Sequence, residues 1–311
     1  LFFLFFSCNR LSTAKGKNND ITIICSDVDW HYSQHIVKHF FDNKFINTPQ
    51  KEYVFNIVRP KIEGIKSSKM AKNILIISLS HPLDSTVDVL SQRILKTNKV
   101  NREVVSLSNL FSEGQKAILI ASVDAVDLEQ KLQDNIEWMV SEYNSNMYRG
   151  YSDYIQSHKE NVEIEEEIKQ KFNISMFIQE DYKLIKQKED FLWIGRGYPY
   201  RWIIFKKLRK SSNENPYNIL KKIILDEGLN IDVTDYYMKE TSLNMKNNKV
   251  KVYRGIYDHN ESESGGPFAL YMLDNIGLDE VILIASIINN PGKSKIDQIL
   301  QVDALVRNIN F

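Results

Sequence analysis

Cysteine is scarce in this chain: of 311 residues only Cys8 and Cys25 carry a thiol. A disulfide-stapled scaffold is excluded, and so is a Cys-x-x-Cys redox or zinc motif. Lysine plus arginine and aspartate plus glutamate number 40 each, so the formal net charge is +0 and no field of one sign draws the protein to nucleic acid or anionic lipid. Glycine (12) and proline (7) are too few for a collagen-like or low-complexity chain. Beyond Cys8 no apolar run approaches the roughly 20 residues that a membrane-crossing helix needs. A Gly-x-Ser-x-Gly elbow and a His-Glu-x-x-His motif are also missing, which removes two common grounds for reading a hydrolase. No internal period indicates a solenoid or propeller. What is present is core material, 43% hydrophobic and 11% aromatic residues, in a chain long enough for about two domains.

The sharpest local feature comes first. Leu1 to Phe6 are all leucine or phenylalanine, Ser7 and Cys8 follow, and Asn9 to Asn19 is polar. Such a run is too short to span a bilayer but matches the back half of a secretory hydrophobic region with a small residue at its cleavage site. The chain opens on Leu1 rather than methionine, and this reading expects a basic segment ahead of it. Residues 1–7 are therefore read as a truncated signal peptide, Cys8 as a lipidated cysteine and residues 8–19 as a flexible tether. Phe5 and Phe6 stand where leucine and a small residue are usual in a lipobox. Each buried methylene contributes ~0.8 kcal/mol, so a multiply acylated, palmitate-bearing Cys8 would hold the mature chain on a membrane. Cys25 then remains as a small buried hydrophobe in the run Ile21 to Cys25.

Folding is expected from Asp20. Ile21 to Cys25 reads as a strand, and Asp27 or Asp29 can cap a following helix in which Trp30, Ile36, Val37, Phe40 and Phe41 recur at helical spacing. Tyr53 to Val58, Asn73 to Leu79, Arg102 to Leu107 and Ala117 to Val123 read as strands, and Val87 to Leu95 as a helix. From Asp127 a stripe of Leu128, Leu132, Ile136, Met139, Tyr143 and Met147 predicts a long helix, with Gly150 as a kink or turn before a second helical stretch to Phe172. Beyond it come strands at 175–185, 191–194 and 202–208, a helix over Pro216 to Asp226 closed by Gly228, strands at Val250 to Tyr257, Phe268 to Leu273 and Glu280 to Ile288, and a final helix over 293–309. The expectation is an α+β fold of two mixed lobes, residues 20–126 and 173–311, with antiparallel sheets covered by helices and the helical segment 127–172 between them.

The stretch Val252 to Leu273, with Arg254-Gly255-Ile256-Tyr257 and then Gly265-Gly266-Pro267-Phe268, resembles domain-of-unknown-function family 4837, uncharacterised lipoproteins of Bacteroidota. The likeness extends to Asn19 to Trp30 and Phe172 to Trp193, nearly the whole mature chain. The resemblance implies a lipoprotein without an established activity, and it assigns no catalytic residue. Between Gly195 and Asn215 the chain is shorter than that family leads one to expect. Asn9 to Asn19 lacks the acidic run typical of surface-exported lipoproteins of the phylum, which implies an outer-membrane lipoprotein facing the periplasm.

Three features carry candidate chemistry. His31, His35 and His39 stand four residues apart on one predicted helix, so their imidazoles share a face that can chelate a transition metal, although a mixed face beside the apolar stripe is the plainer account. Arg196, Tyr198, Tyr200 and Trp202, with Arg254 and Tyr257, offer an aromatic and cationic binding surface, for which packing of a hairpin is the plainer account. The Gly-Gly-Pro-Phe element reads as a hairpin turn. The run Glu163 to Glu167 reads as a solvated helix face. No cofactor is called for. The functional expectation is a membrane-anchored protein that binds or scaffolds envelope proteins without catalysis, with a metal-dependent enzyme on the histidine face or a small-ligand carrier as alternatives.

Overall fold

The computed structural model describes residues 11–48, 50–60, 68–81, 85–99, 103–210, 214–245, 248–261, 264–274 and 279–311. The run Leu1 to Phe6, Ser7 and Cys8 lie outside them. The chain forms two compact units, residues 1–44 with 53–150 and residues 45–52 with 151–311. The class is α+β, as the sequence predicts.

The N-terminal unit is built on a five-stranded sheet ordered β4-β1-β5-β7-β6, from β1 (Asp20–Ile24), β4 (Asn56–Val58), β5 (Asn73–Leu79), β6 (Val104–Ser108) and β7 (Lys116–Ser122). The short β2 (Phe45–Ile46) and β3 (Glu52–Tyr53) pair apart from it. β1 pairs in parallel with β4 and β5, and β5 with β7, while only β6 runs antiparallel to its neighbour. Antiparallel pairing is thus the minority arrangement in this unit. All seven positions of β5 are buried, the mark of a strand covered on both faces.

Helices supply that cover. α1 (Asp27–Asp42) is capped by Ser26, whose hydroxyl accepts from the Asp29 N–H at 2.9 Å. Asp27 and Asp29 sit in the first turn, where their charge suits the positive end of the helix dipole. Its buried stripe is Asp29, Ser33, Val37 and Phe41; Trp30, Ile36 and Phe40 are half-buried beside it. α2 (Ser85–Thr97) lays Val87 and Ile94 on Ile24, Ile74, Ile76, Ala117 and Leu119. α3 (Ala125–Gln156) places Tyr143 against Phe41 and Phe55, with its hydroxyl donating to the Ile74 carbonyl at 2.8 Å.

Gly150 lies inside α3 and does not end it. A Cβ there would come within 2.3 Å of the Asn18 side chain, so the missing side chain admits a close neighbour. The same neighbour shows why the segment read as a tether is partly laid into the fold. Ala14 is buried and its N–H donates to the Glu113 carbonyl at 2.8 Å, and the Lys15 N–H donates to Met70 at 2.7 Å. The buried Asn73 amide donates to the carbonyls of Asn18 (2.8 Å) and Asp20 (3.1 Å). Polar composition suggested solvent, but these residues bond as an ordered arm.

The C-terminal unit holds a wholly antiparallel seven-stranded sheet, ordered β11-β12-β13-β14-β10-β9-β8. Its strands are β8 (Lys183–Lys188), β9 (Phe191–Arg196), β10 (Tyr200–Arg209), β11 (Ile231–Met245), β12 (Asn248–His259), β13 (Gly265–Asp274) and β14 (Glu280–Asn289). Two meanders, β8 to β10 and β11 to β14, therefore join through the β10–β14 pair. α5 (Pro216–Glu227), capped by Asn215 and closed by Gly228 at φ 69°, covers one face; its Leu220, Ile223 and Ile224 pack with Leu270, Leu283, Ala285 and Ile287. On the other face α6 (Ile296–Arg307) presents Asp303 to Tyr271 and Arg254. α4 (Val162–Phe172) brings Phe172 to 5.5 Å from Phe205 between ring centroids. The start of α6 has no side-chain cap from Lys295. Glu52 takes that role, its carboxylate accepting from the Lys295 N–H at 2.8 Å and from the Ser294 hydroxyl at 2.5 Å.

α4 also carries a pH-sensitive contact. Glu165 accepts the Ile178 N–H at 2.5 Å, and burial, reinforced by a hydrogen bond with Glu160, pushes its carboxyl up to about 8. A folded value above the unfolded 4.5 means the native state holds the extra proton, so this contribution is complete below pH 4.5 and is lost as pH rises to about 8. Glu165 is half-buried, so solvent screening reduces the expected change to about 1–2 kcal/mol. Urea unfolding across that range should show stability declining with pH in the wild type, and a flatter profile in Glu165→Gln, whose amide keeps the shape of the protonated acid. Parallel profiles for the two proteins would remove Glu165 as the cause.

No helix among the described residues is long and apolar enough to cross a membrane.

Candidate functional site

The Arg-Gly-Ile-Tyr and Gly-Gly-Pro-Phe elements lie on neighbouring strands, and their pairing is reciprocal. Gly255 stands opposite Phe268, and Tyr257 opposite Gly266. A Cβ built on Gly255 would sit 2.4 Å from the tip of the Phe268 ring. One built on Gly266 would sit 2.0 Å from the Ile288 carbonyl oxygen and 3.1 Å from the Tyr257 ring. Each aromatic thus lies across the bare backbone of its partner glycine, a cross-strand arrangement in which the ring covers what the glycine exposes. Tyr257 reaches far enough for its hydroxyl to donate to Ile288 at 3.1 Å. Burial pushes its phenol up, and a hydrogen bond with the Asn289 side chain partly offsets that. The motif is therefore more than a turn; it fixes two rings flat on the sheet.

At the end of the sheet Tyr257 borders a cavity of about 250 Å³. Its apolar walls are Tyr200 and Trp202 from β10, Ile231 from β11, Tyr257 from β12 and Ile287 from β14. Its polar groups are His259, Ser264 and Asn289. Trp202 is held in place by Trp193, with ring centroids 5.2 Å apart and planes at 76°, and by Gly195, where a Cβ would come within 3.0 Å of the indole. His259 is fixed through its own hairpin. Its N–H donates to the Ser264 carbonyl at 2.8 Å, and its Nδ1 accepts from the Glu261 N–H at 3.2 Å. An accepting Nδ1 puts the proton of the neutral ring on Nε2.

Of the binding surface expected from sequence, Tyr200, Trp202 and Tyr257 come together in this cavity. Tyr198 lies beside it, its ring 6.0 Å from that of Tyr200 with the Lys293 ammonium 5.5 Å from its centroid. The two arginines go elsewhere. Arg196 pairs with Asp181 at 2.5 Å and donates to Gln179 at 2.7 Å, and Arg254 is bound to Asp303 on the sheet face under α6. Ile231, His259, Ser264, Ile287 and Asn289 had no signal in the sequence, because the strand pairing that assembles them was not readable from it.

His31, His35 and His39 are exposed on α1. The rings of His31 and His39 lie edge-on to Tyr32 and Phe40 at 5.1 and 5.6 Å. Among the described residues, no group of three or more histidines, cysteines, aspartates or glutamates is placed to hold a metal ion. Cys25 is buried, and desolvation pushes its thiol up to about 11 despite the neighbouring Arg59, which keeps it protonated and a poor nucleophile.

The fold and cavity define an α+β protein whose C-terminal unit presents an aromatic-walled recess on an antiparallel sheet. Residues 161–308, which include that sheet, match the family described as "Domain of unknown function (DUF4837)", and the resemblance carried by residues 252–273 is borne out there. The matched span does not reach residues 19–30. No curated protein matches the chain. Among solved structures, the Ran-binding protein Mog1p of Saccharomyces cerevisiae aligns with 44% of this chain and 89% of its own at 7% identity and a TM-score of 0.31. A protein of Bacteroides thetaiotaomicron VPI-5482 aligns over 44% of each chain at 8% identity and a TM-score of 0.18.

Proposed function

We propose that this chain is an outer-membrane lipoprotein, anchored through Cys8 and facing the periplasm, that works by binding an envelope protein and not by catalysis. The observation that carries the binding part is the cavity walled by Tyr200, Trp202 and Tyr257. Apolar cavities of about 150 Å³ already accept benzene, so about 250 Å³ suits one substituted ring. It falls below the roughly 300–1,000 Å³ of sites that enclose a whole drug-sized molecule. A single aromatic side chain offered by a partner is the occupant of matching size, and aromatic anchors seated in such recesses dominate the energetics of protein interfaces. The anchor part is supported by the run Leu1 to Phe6 ending in Ser7-Cys8.

The two parts are tested separately. Soluble protein titrated with the N-acetyl amides of tyrosine, phenylalanine, tryptophan and leucine, followed by ligand-observed NMR, should bind the aromatic amides in preference to the leucine one. Trp202→Ala should weaken that binding about tenfold or more while the protein remains folded by circular dichroism. Equal signals for all four amides, or none, would refute a ring-binding recess. For the anchor, cells fed a clickable palmitate should label the full-length protein and not its Cys8→Ser variant; an unlabelled wild type refutes lipidation.

A further inference from the structure

The cavity is not uniformly apolar, and its polar wall is arranged with a direction. His259 follows Tyr257 by two residues on β12, so the side chains of both stand on one face of the strand. Its Nδ1 is occupied by the Glu261 N–H within the hairpin that links β12 to β13, which leaves Nε2–H as the donor of the neutral ring, on a residue that lines the cavity. The neighbouring Tyr257 phenol is already committed to the Ile288 carbonyl and to Asn289. We infer that the recess selects a hydroxylated ring, a tyrosine side chain in preference to a phenylalanine, with the phenol oxygen accepting from His259 Nε2.

This inference rests on the proposed ring-binding role of the cavity and adds its specificity. A hydrogen bond made by a group that is partly wet contributes modestly, so the preference for a hydroxylated over a plain ring should be about fivefold to tenfold. The experiment compares N-acetyl-tyrosinamide with N-acetyl-phenylalaninamide on the intact protein, on His259→Leu and on His259→Gln. The expected result is tighter binding of the tyrosine amide to wild type, equal binding of the two amides to His259→Leu, and a retained preference in His259→Gln, whose amide N–H replaces the imidazole donor. Equal binding of both amides to wild type overturns the inference and leaves the ring-binding reading standing, whereas binding of neither overturns both. Should the variants fold poorly, nitrogen NMR of wild-type His259 decides independently: the neutral ring must carry its proton on Nε2, and a proton on Nδ1 overturns the assignment.

Discussion

Gly266→Ala should destabilise the C-terminal unit by about 3 kcal/mol or more, the upper range for forcing a methyl group into a packed site. The added Cβ would stand 2.0 Å from the Ile288 carbonyl oxygen, with Tyr257 at 3.1 Å. A flexible side chain could step aside, but Ile288 belongs to β14, which is paired on both sides by β10 and β13. Relief requires the ladder to open. Gly197→Ala is the matched control, since no atom lies within 4 Å of a Cβ there, and it should change stability by less than about 0.5 kcal/mol. Urea unfolding of the two variants beside wild type makes the comparison. A Gly266→Ala protein as stable as the control would show that the reciprocal pairing of glycines and rings is not what sets the spacing of β12, β13 and β14.

That prediction also shows where the sequence was informative. The Arg-Gly-Ile-Tyr and Gly-Gly-Pro-Phe elements stood out as a unit, and glycine before proline suggested a turn. The structure gives the glycines another task, because cross-strand opposition of Gly255 with Phe268 and of Tyr257 with Gly266 depends on register, which spacing along the chain does not reveal. β13, β14 and α5 were legible for ordinary reasons: alternating or continuous apolar runs, an Asn-Pro start and a glycine stop. β11 was not. Its pairing slips between Thr234 and Lys239, which breaks the period of two that would have announced a strand. The cavity takes Ile231 from β11, so missing that strand meant missing one wall.

The N-terminal unit illustrates a different limit. Buried runs such as Asn73 to Leu79 were identified as strands, yet parallel and antiparallel sheets can both be assembled from such runs. The distinction lay in the connections, since α1 follows β1 and α2 follows β5 before the chain returns to the same sheet, and parallel strands need crossovers of that kind. The arm from Ala14 to Asn18 was hidden for a further reason: what holds it is polar, the Asn73 side chain and the carbonyls of Met70 and Glu113, and hydropathy does not register such bonds.

Asp303→Ala should be comparably damaging, by about 3 kcal/mol, because it removes a buried carboxylate that accepts from both the half-buried Arg254 and Tyr271. Asp303 is 1% exposed in its side chain and accepts from the Arg254 guanidinium at 2.9 and 2.8 Å and from the Tyr271 hydroxyl at 2.5 Å. The carboxylate offsets the desolvation of Arg254, so the pair has little net value but costs more when split. Removing both charges should therefore restore most of the loss, and Arg254→Met combined with Asp303→Leu is expected within about 1 kcal/mol of wild type. Tyr271 keeps Ser286 as a second partner in that double variant. Chemical unfolding of wild type, the single and the double variant measures the coupling. If Asp303→Ala costs less than about 1 kcal/mol, Arg254 is reaching solvent on its own; if the cost is as expected, this arginine belongs to the joint between α6 and the sheet.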